Sequence, residues 1–307
     1  MPWAANPPLE PEYVQLTWTV NDGAFEDALA LAYRLPVGGV EYDDGTVAEA
    51  PFTDLAWTPA GPRFVRVYLP REEADAWVDV VRRVCAAHGW TLREDVVKSD
   101  DWAHSWKAHY QPQMLPGGYA VVPAWWERSP APPDRTLWLD PGMAFGTGLH
   151  ATTRLCLEAL TTEPLGGCRV LDVGAGSGIL ALMALKAGAA SAVLVEPDPV
   201  ARDAIWHNAR LNRLDGAVRV VHGTLKDLAP SPFDVVCMNL IWDIIREEWP
   251  RLLSYLAPKA LVLLSGILST FDEEVRALVQ GSGDEVARVE ERDGWLLVVV
   301  RHHSRGT

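Results

Sequence analysis

The chain has 307 residues, 49% of them apolar, which is long enough for two domains and apolar enough to bury a sizeable core, so neither disorder nor low complexity describes it. Lys and Arg number 27 against 41 Asp and Glu, for a net charge of −14. That surplus repels phosphate backbones and attracts basic partners, which excludes direct nucleic-acid binding from the expected functions.

The start, MPWAANPPLEPEY, has no basic stretch followed by an apolar run, and the apolar runs ALVLL and WLLVVV are only strand-length. A cytoplasmic protein that does not cross a membrane is expected. Six elements then follow. YVQLTWTV alternates like a half-buried strand, FEDALALAYRL has helical spacing, and VGGVEYDD and PRFVRVYL read as strands. EEADAWVDVVRRVCAAHG is a helix stopped at Gly89, and TLREDVV is a last strand. The order β-α-β-β-α-β predicts a ferredoxin-like α+β domain over residues 1–98. It holds 16 acidic and 8 basic residues, more than half of the chain's excess negative charge, and is expected to recognise the substrate.

Residues 99–135 read as an aromatic and Pro-rich connector, running through DDWAHSWKAHYQP, GGYAVVPAWWE and SPAPPD. Its Trp102, Trp106, Trp125 and Trp126 are expected to pack between domains.

From Thr136 to residue 307, strands and helices alternate. CRVLDVGAG, SAVLVEPD, VRVVHG, FDVVCMNLI and ALVLLSGIL are strands; ILALMALKAG, VARDAIWHNARLN, IIREEWPRLLSYL and DEEVRALVQG are helices. Continuous apolar strands between amphipathic helices imply a parallel sheet covered on both faces, so a doubly wound, Rossmann-like α/β domain is predicted. EVARVEERDGWLLVVVRH reads as a hairpin closed at Asp293-Gly294, which suggests an antiparallel edge strand. RHHSRGT, with His302 and His303, reads as a disordered tail. Cys85, Cys156, Cys168 and Cys237 have neither disulfide nor zinc spacing and read as buried, reduced thiols. No metal site is expected.

Gly174, Gly176 and Gly178 sit at a strand-to-helix turn, where the lack of side chains opens backbone N–H groups to a ligand. Glu196 ends the next strand, 22 residues after Gly174, where a carboxylate can accept from both hydroxyls of a ribose. NAD and S-adenosylmethionine both carry such a ribose. The spacing, however, is G-x-G-x-G, with Ile179 where the dinucleotide fingerprint has its third small residue. Asp172 within the turn would repel a pyrophosphate and suits a cationic ligand, and no basic residue lies near for phosphates. These features favour S-adenosylmethionine; an NAD-dependent oxidoreductase is the alternative from another class.

Upstream, DPGMAFGTGLHATTRLCLEAL sets Gly142, Gly146 and Gly148 around Phe145 and Thr147, and His150 to Thr153 cap the helix that follows. Such a loop, just before the nucleotide strand, can fold over a cofactor, which makes Phe145, Gly146 and Thr147 candidate contacts. Asn239 ends the fourth strand of the predicted sheet at its ligand edge. Its amide oxygen can accept from an amine and aim the lone pair at a methyl group, so it is the candidate catalytic residue. Phe145 and Trp242 are candidates for cation–π contact with a methylammonium product.

DPGMAFGTGLHATTRLCLEAL, VLDVGAGSGILAL, NLIWDII and LLSGIL together resemble the PrmA family, the bacterial methyltransferases of the eleventh large-subunit ribosomal protein. DDWAHSWKAHYQP resembles the family's aromatic connector, so the likeness spans essentially the whole chain. It implies a class I S-adenosylmethionine-dependent domain behind a ferredoxin-like one. It also implies methyl transfer to lysine side chains and the N-terminal α-amino group of a basic ribosomal protein, by a monomer. Thr153, Gly174, Glu196 and Asn239 carry over as cofactor residues. This chain has Ala151 where the family has proline, Glu196 where it has aspartate, and N-L-I where it has N-I-L. Enzymes that methylate planar nitrogens resemble N-P-P-Y at Asn239, so a tetrahedral amine is the better acceptor here. Methylation of another protein or of a small-molecule amine is the alternative within the class.

Overall fold

The computed structural model describes residues 12–20, 25–32, 35, 40–43, 63–98, 110–140 and 148–303. The chain forms two compact units, Met1–Tyr110 and Gln111–Thr307.

The first unit contains β1 (Glu12–Val20), α1 (Phe25–Ala32), β2 (Val40–Asp43), β3 (Arg63–Pro70), α2 (Arg71–His88) and β4 (Thr91–Lys98). Its sheet has the order β2-β3-β1-β4, antiparallel throughout, which is the ferredoxin-like arrangement predicted. Period-2 alternation buries Val14, Leu16, Trp18 and Val20 of the central strand β1.

The second unit opens with a small sheet of β5 (Gln113–Leu115), β6 (Tyr119–Pro123) and β7 (Thr136–Leu139), in that order. Part of the segment read as a connector is therefore folded, and the units divide at 110–111 rather than at 98. The remaining elements are α3 (Ala151–Thr162), β8 (Arg169–Val173), α4 (Ile179–Lys186), β9 (Ser191–Glu196), α5 (Pro199–Leu211), β10 (Val218–His222), β11 (Phe233–Asn239), α6 (Trp242–Leu252), β12 (Leu256–Leu268), α7 (Asp272–Gly281), β13 (Glu285–Arg292) and β14 (Trp295–Arg301).

The large sheet has the order β10-β9-β8-β11-β12-β14-β13, parallel from β10 to β12. β14 runs antiparallel to both neighbours, an insertion that the dinucleotide order 3-2-1-4-5-6 lacks. The hairpin is as predicted, with Asp293 and Gly294 both at positive φ, 52° and 77°, as a type I′ turn requires. Its edge strand is β13. Residues 296–300 of β14 are all buried, whereas β13 is half-buried or exposed along its length. The strand apolar on both faces takes the interior and the charged one the edge.

The tail is ordered through His303. The His302 N–H extends the sheet to the Ala260 carbonyl at 2.9 Å, and its Nδ1 lies 2.8 Å from Oδ1 of the buried Asp284. Asp284 also accepts from the His303 N–H and the Ser282 hydroxyl. Cys85, Cys156 and Cys237 are buried free thiols, while Cys168 is partly exposed. Among the described residues no helix is long and apolar enough to cross a membrane.

Candidate functional site

The sheet changes winding direction at β8, which has β9 on one side and β11 on the other. A ligand crevice belongs at the carboxyl ends of these three strands. Gly174, Gly176 and Gly178 turn the chain there with φ of 69°, 54° and 81°, values that L side chains rarely adopt. Gly178 is also the N-cap of α4 and has no side chain with which to cap it. Asp172 does so from β8, its Oδ2 accepting from the Ala181 N–H at 3.1 Å. Burial pushes the Asp172 carboxyl up to about 7, with the charge of nearby Glu196 adding to the rise and the Ala181 hydrogen bond opposing it.

Glu196 is 7% exposed, and its longer arm reaches back onto the turn. Oε2 accepts from the Gly176 N–H at 2.8 Å and Oε1 from the Asp198 N–H at 2.9 Å. An ionised carboxylate has about four lone-pair sites, so two protein donors leave room for two ribose hydroxyls.

The other wall is built by α3 and β11. His150 is the N-cap of α3, its Nδ1 accepting from the Thr152 N–H at 3.3 Å and lying 2.7 Å from the Thr152 hydroxyl. Burial pushes the imidazole down to about 4, so at neutral pH it is uncharged and able to accept. The far end of α3 is tied to the closing hairpin: Glu158 pairs with Arg292 and Arg154, and Glu163 with Arg288 and Arg301. Burial alone would raise both carboxyls, but these arginines outweigh it and hold them below the ordinary range. So fixed, α3 presents Thr153 to Asn239, whose Nδ2 donates to the Thr153 hydroxyl at 3.3 Å across 86 positions of sequence. Asn239 Oδ1 is left without a partner among the described residues.

The N-L-I turn is seated from below. The Leu240 N–H donates to the Ser265 carbonyl at 3.0 Å, and Gly266 (φ +80°) passes against the Leu240 backbone so closely that a Cβ there would lie 2.8 Å from its carbonyl carbon. The Leu240 side chain leans onto Gly174, where an added Cβ would be 2.5 Å from Cδ2.

The residues singled out in the sequence thus gather in two groups at one edge. Asp172, Gly174, Gly176, Gly178 and Glu196 surround the turn, and Thr153 and Asn239 face each other beside it. Phe145, Gly146 and Thr147 lie outside the described residues. Trp242 does not supply an open aromatic face: it is 7% exposed and packs against Phe271, ring centroids 6.1 Å apart, because α6 needs its first turn anchored to the core. Sequence reasoning missed Gly266, packed beneath the N-L-I turn, and the burial of Asn208 and Asn212 on α5. A lone glycine inside an apolar strand, and two asparagines one helical turn apart, were the available signals.

The donor set fits a cationic nucleoside. Glycine backbone without side chains and a buried carboxylate stand at the β9 end, an acidic group lies beneath the turn, and the strand order carries an antiparallel insertion. Fold and site define a class I S-adenosylmethionine-dependent methyltransferase. The family model for ribosomal protein L11 methyltransferase (PrmA) matches residues 12–303, and the chain belongs to that family. It is 35% identical over 302 residues to the ribosomal protein L11 methyltransferase of Symbiobacterium thermophilum, covering 94% of this chain and 98% of that protein. It is 36% identical over 278 residues to that of Azotobacter vinelandii, covering 90% and 93%. Among solved structures, the ribosomal protein L11 methylase of Lactobacillus delbrueckii subsp. bulgaricus superposes with a TM-score of 0.58 at 28% identity, over 63% of this chain and all of that one. The oxidoreductase alternative is set aside by this membership.

Proposed function

We propose that the chain methylates lysine side chains and the N-terminal α-amino group of ribosomal protein L11, acting as a cytoplasmic monomer. The observation that carries the reading is Asn239 held by Thr153 beside the glycine turn, with its amide oxygen free to accept from an amine. When bound, S-adenosylmethionine supplies a methyl group already activated on sulfur. The chain's own residues then have to bind, align and exclude water. Glu196 holds the ribose, Gly174 and Gly176 approach the cofactor with their backbone, and Thr153 and Asn239 border the reacting end. Phe145, Gly146 and Thr147 are assigned to the cofactor on sequence alone. A lysine ammonium must lose a proton before it attacks, which at pH 7 costs about 4–5 kcal/mol from a reference pKa near 10.4. Exposed Ile241 and Ile244, on the first turn of α6 just past Asn239, offer an apolar lip that desolvates the amine and lowers this cost.

Recruitment falls to the small domain. Between α2 and the edge strand β4 runs a groove of about 460 Å³, lined by Asp75, Asp79, Glu94 and Asp95. Arg82 neutralises part of it, pairing with Asp79 and Glu94, Arg93 pairs with Asp95, and Arg71 also lines it, so the groove offers a basic protein a modest net negative charge.

The test is transfer from labelled cofactor to a whole set of ribosomal proteins, with the sites read by mass spectrometry. Label on lysines and the amino terminus of L11 is expected. Label confined to another protein, or to planar nitrogens, overturns the reading.

A pH dependence follows from Asp172. Its carboxyl is about half ionised near pH 7 in the free chain. A cationic cofactor favours the charged form, so binding lowers this pKa and releases a proton below about pH 7. Affinity should therefore rise with pH through roughly 6 to 7 and level off above. Calorimetry in two buffers of different ionisation enthalpy measures the proton count directly. Proton release that persists unchanged in Asp172→Asn would take Asp172 out of this role.

A further inference from the structure

α5 buries two asparagines one turn apart, Asn208 at 0% and Asn212 at 7% exposure. Together their amides complete the open edge of β7. Asn212 Oδ1 accepts from the Trp138 N–H at 2.8 Å, and its Nδ2 donates to the Trp138 carbonyl at 2.6 Å. Asn208 Oδ1 accepts from the Asp140 N–H, two residues on, at 2.8 Å. Asn208 does something that Asn212 does not: its Nδ2 donates to the carbonyl of Ser177 at 3.1 Å. Ser177 lies between Gly176 and Gly178 and is itself fully buried.

We infer that Asn208 is a positioning residue for the cofactor, holding the glycine turn in its binding geometry through the Ser177 carbonyl and tying it to the end of β7. An amide carries its donor and its acceptor on separate atoms, so one neutral side chain can donate to one backbone segment and accept from another at once. A buried apolar residue here would lose both of these hydrogen bonds, to the Ser177 carbonyl and from the Asp140 N–H, at a buried position. Because Ser177 shares a peptide plane with the Gly178 N–H, which closes the turn by donating to the Ala175 carbonyl at 2.8 Å, rotation of its carbonyl would break the hydrogen bond that shapes the turn. The Gly176 N–H is held from the opposite side by Glu196. The turn is thus pinned at two adjoining residues, by the carboxylate assigned to the ribose and by an asparagine that touches no cofactor.

The inference rests on the glycine turn being the cofactor seat, so Glu196→Ala is measured beside it. Four variants of the full chain, Asn208→Ala, Asn208→Asp, Asn212→Ala and Glu196→Ala, are compared for S-adenosylmethionine affinity, melting temperature and single-turnover rate at saturating cofactor. Asn208→Ala is expected to weaken cofactor binding by at least about tenfold while the saturated rate stays within about threefold. Asn208→Asp keeps an acceptor for Asp140 but sets a carboxylate against the Ser177 carbonyl, so it should weaken binding at least as much and provides the reading if the alanine variant does not fold. Asn212→Ala loses two buried hydrogen bonds to Trp138 and one to the Asn208 carbonyl, none of them to the glycine turn, and should lower the melting temperature without altering affinity. Unchanged affinity in folded Asn208 variants, or an equal loss in Asn212→Ala, overturns the inference. Unchanged affinity in Glu196→Ala overturns instead the placement of the ribose.

Discussion

Asn239→Ala is expected to lower the single-turnover rate of methyl transfer by about 10²-fold or more, the scale expected when a reacting group loses its orientation. The side chain is placed by the Thr153 hydroxyl at 3.3 Å, and this leaves only one atom, Oδ1, directed elsewhere. Because Asn239 lies half-buried at the end of β11, its truncation opens no core cavity, and the melting temperature should move little. Asn239→Asp makes the sharper comparison. It keeps an acceptor at the same reach but adds a charge that attracts the substrate ammonium and holds its proton. Binding should survive, and the pH optimum should shift upward. Rates measured across pH with saturating cofactor separate the cases, and a wild-type rate in Asn239→Ala removes the residue from the chemistry.

What the sequence disclosed, and what it withheld, follows from the range of the interactions. The six elements of the small domain and the alternating elements from β8 onward are visible because each carries its own periodicity, as in the β1 alternation of Val14, Leu16, Trp18 and Val20. The glycine turn and Glu196 are visible because strand, turn and helix are contiguous. The sheet of β5, β6 and β7 is not, since strands of three to five residues among prolines and glycines show no period and read as a connector. The ordered His302 escapes for another reason: its anchor, Asp284, is 18 residues away, and nothing local marks the pair. Likewise Asn239 announces an amide at a strand end, but its contact with Thr153 exists only once α3 is fixed by Glu158 and Glu163 against the closing hairpin. Asn208 is the extreme case, a polar residue on a helix face that should be apolar, whose reason lies 31 and 68 residues away, at Ser177 and Asp140.

Gly266→Ala should be the most damaging single methyl group that can be added near the site. Two costs combine. Gly266 has φ of +80°, a conformation that costs an L residue roughly 1–2 kcal/mol. In addition the new Cβ would overlap the carbonyl oxygen of Leu240 and stand 2.8 Å from its carbonyl carbon and 3.0 Å from its nitrogen. All three are backbone atoms, held by the Leu240 N–H bond to Ser265, so the only relief is to push the 239–241 turn outward. Gly174→Ala differs in kind, for its new Cβ would meet the end of the Leu240 side chain, which can swing to another rotamer. If Asn239 aims the nucleophile as proposed, its displacement by about 1 Å costs on the order of 10²-fold in rate. Gly266→Ala should therefore lose turnover on that scale, together with several degrees of melting temperature. Gly174→Ala should show mainly a cofactor defect. Gly216→Ala, where an added Cβ meets nothing within 4 Å, serves as the control for adding a methyl group to a glycine. If Gly266→Ala turns over like the control, the close passage of β12 beneath the Asn239 turn does not set its position, and the rigidity of that turn must come from α6 instead.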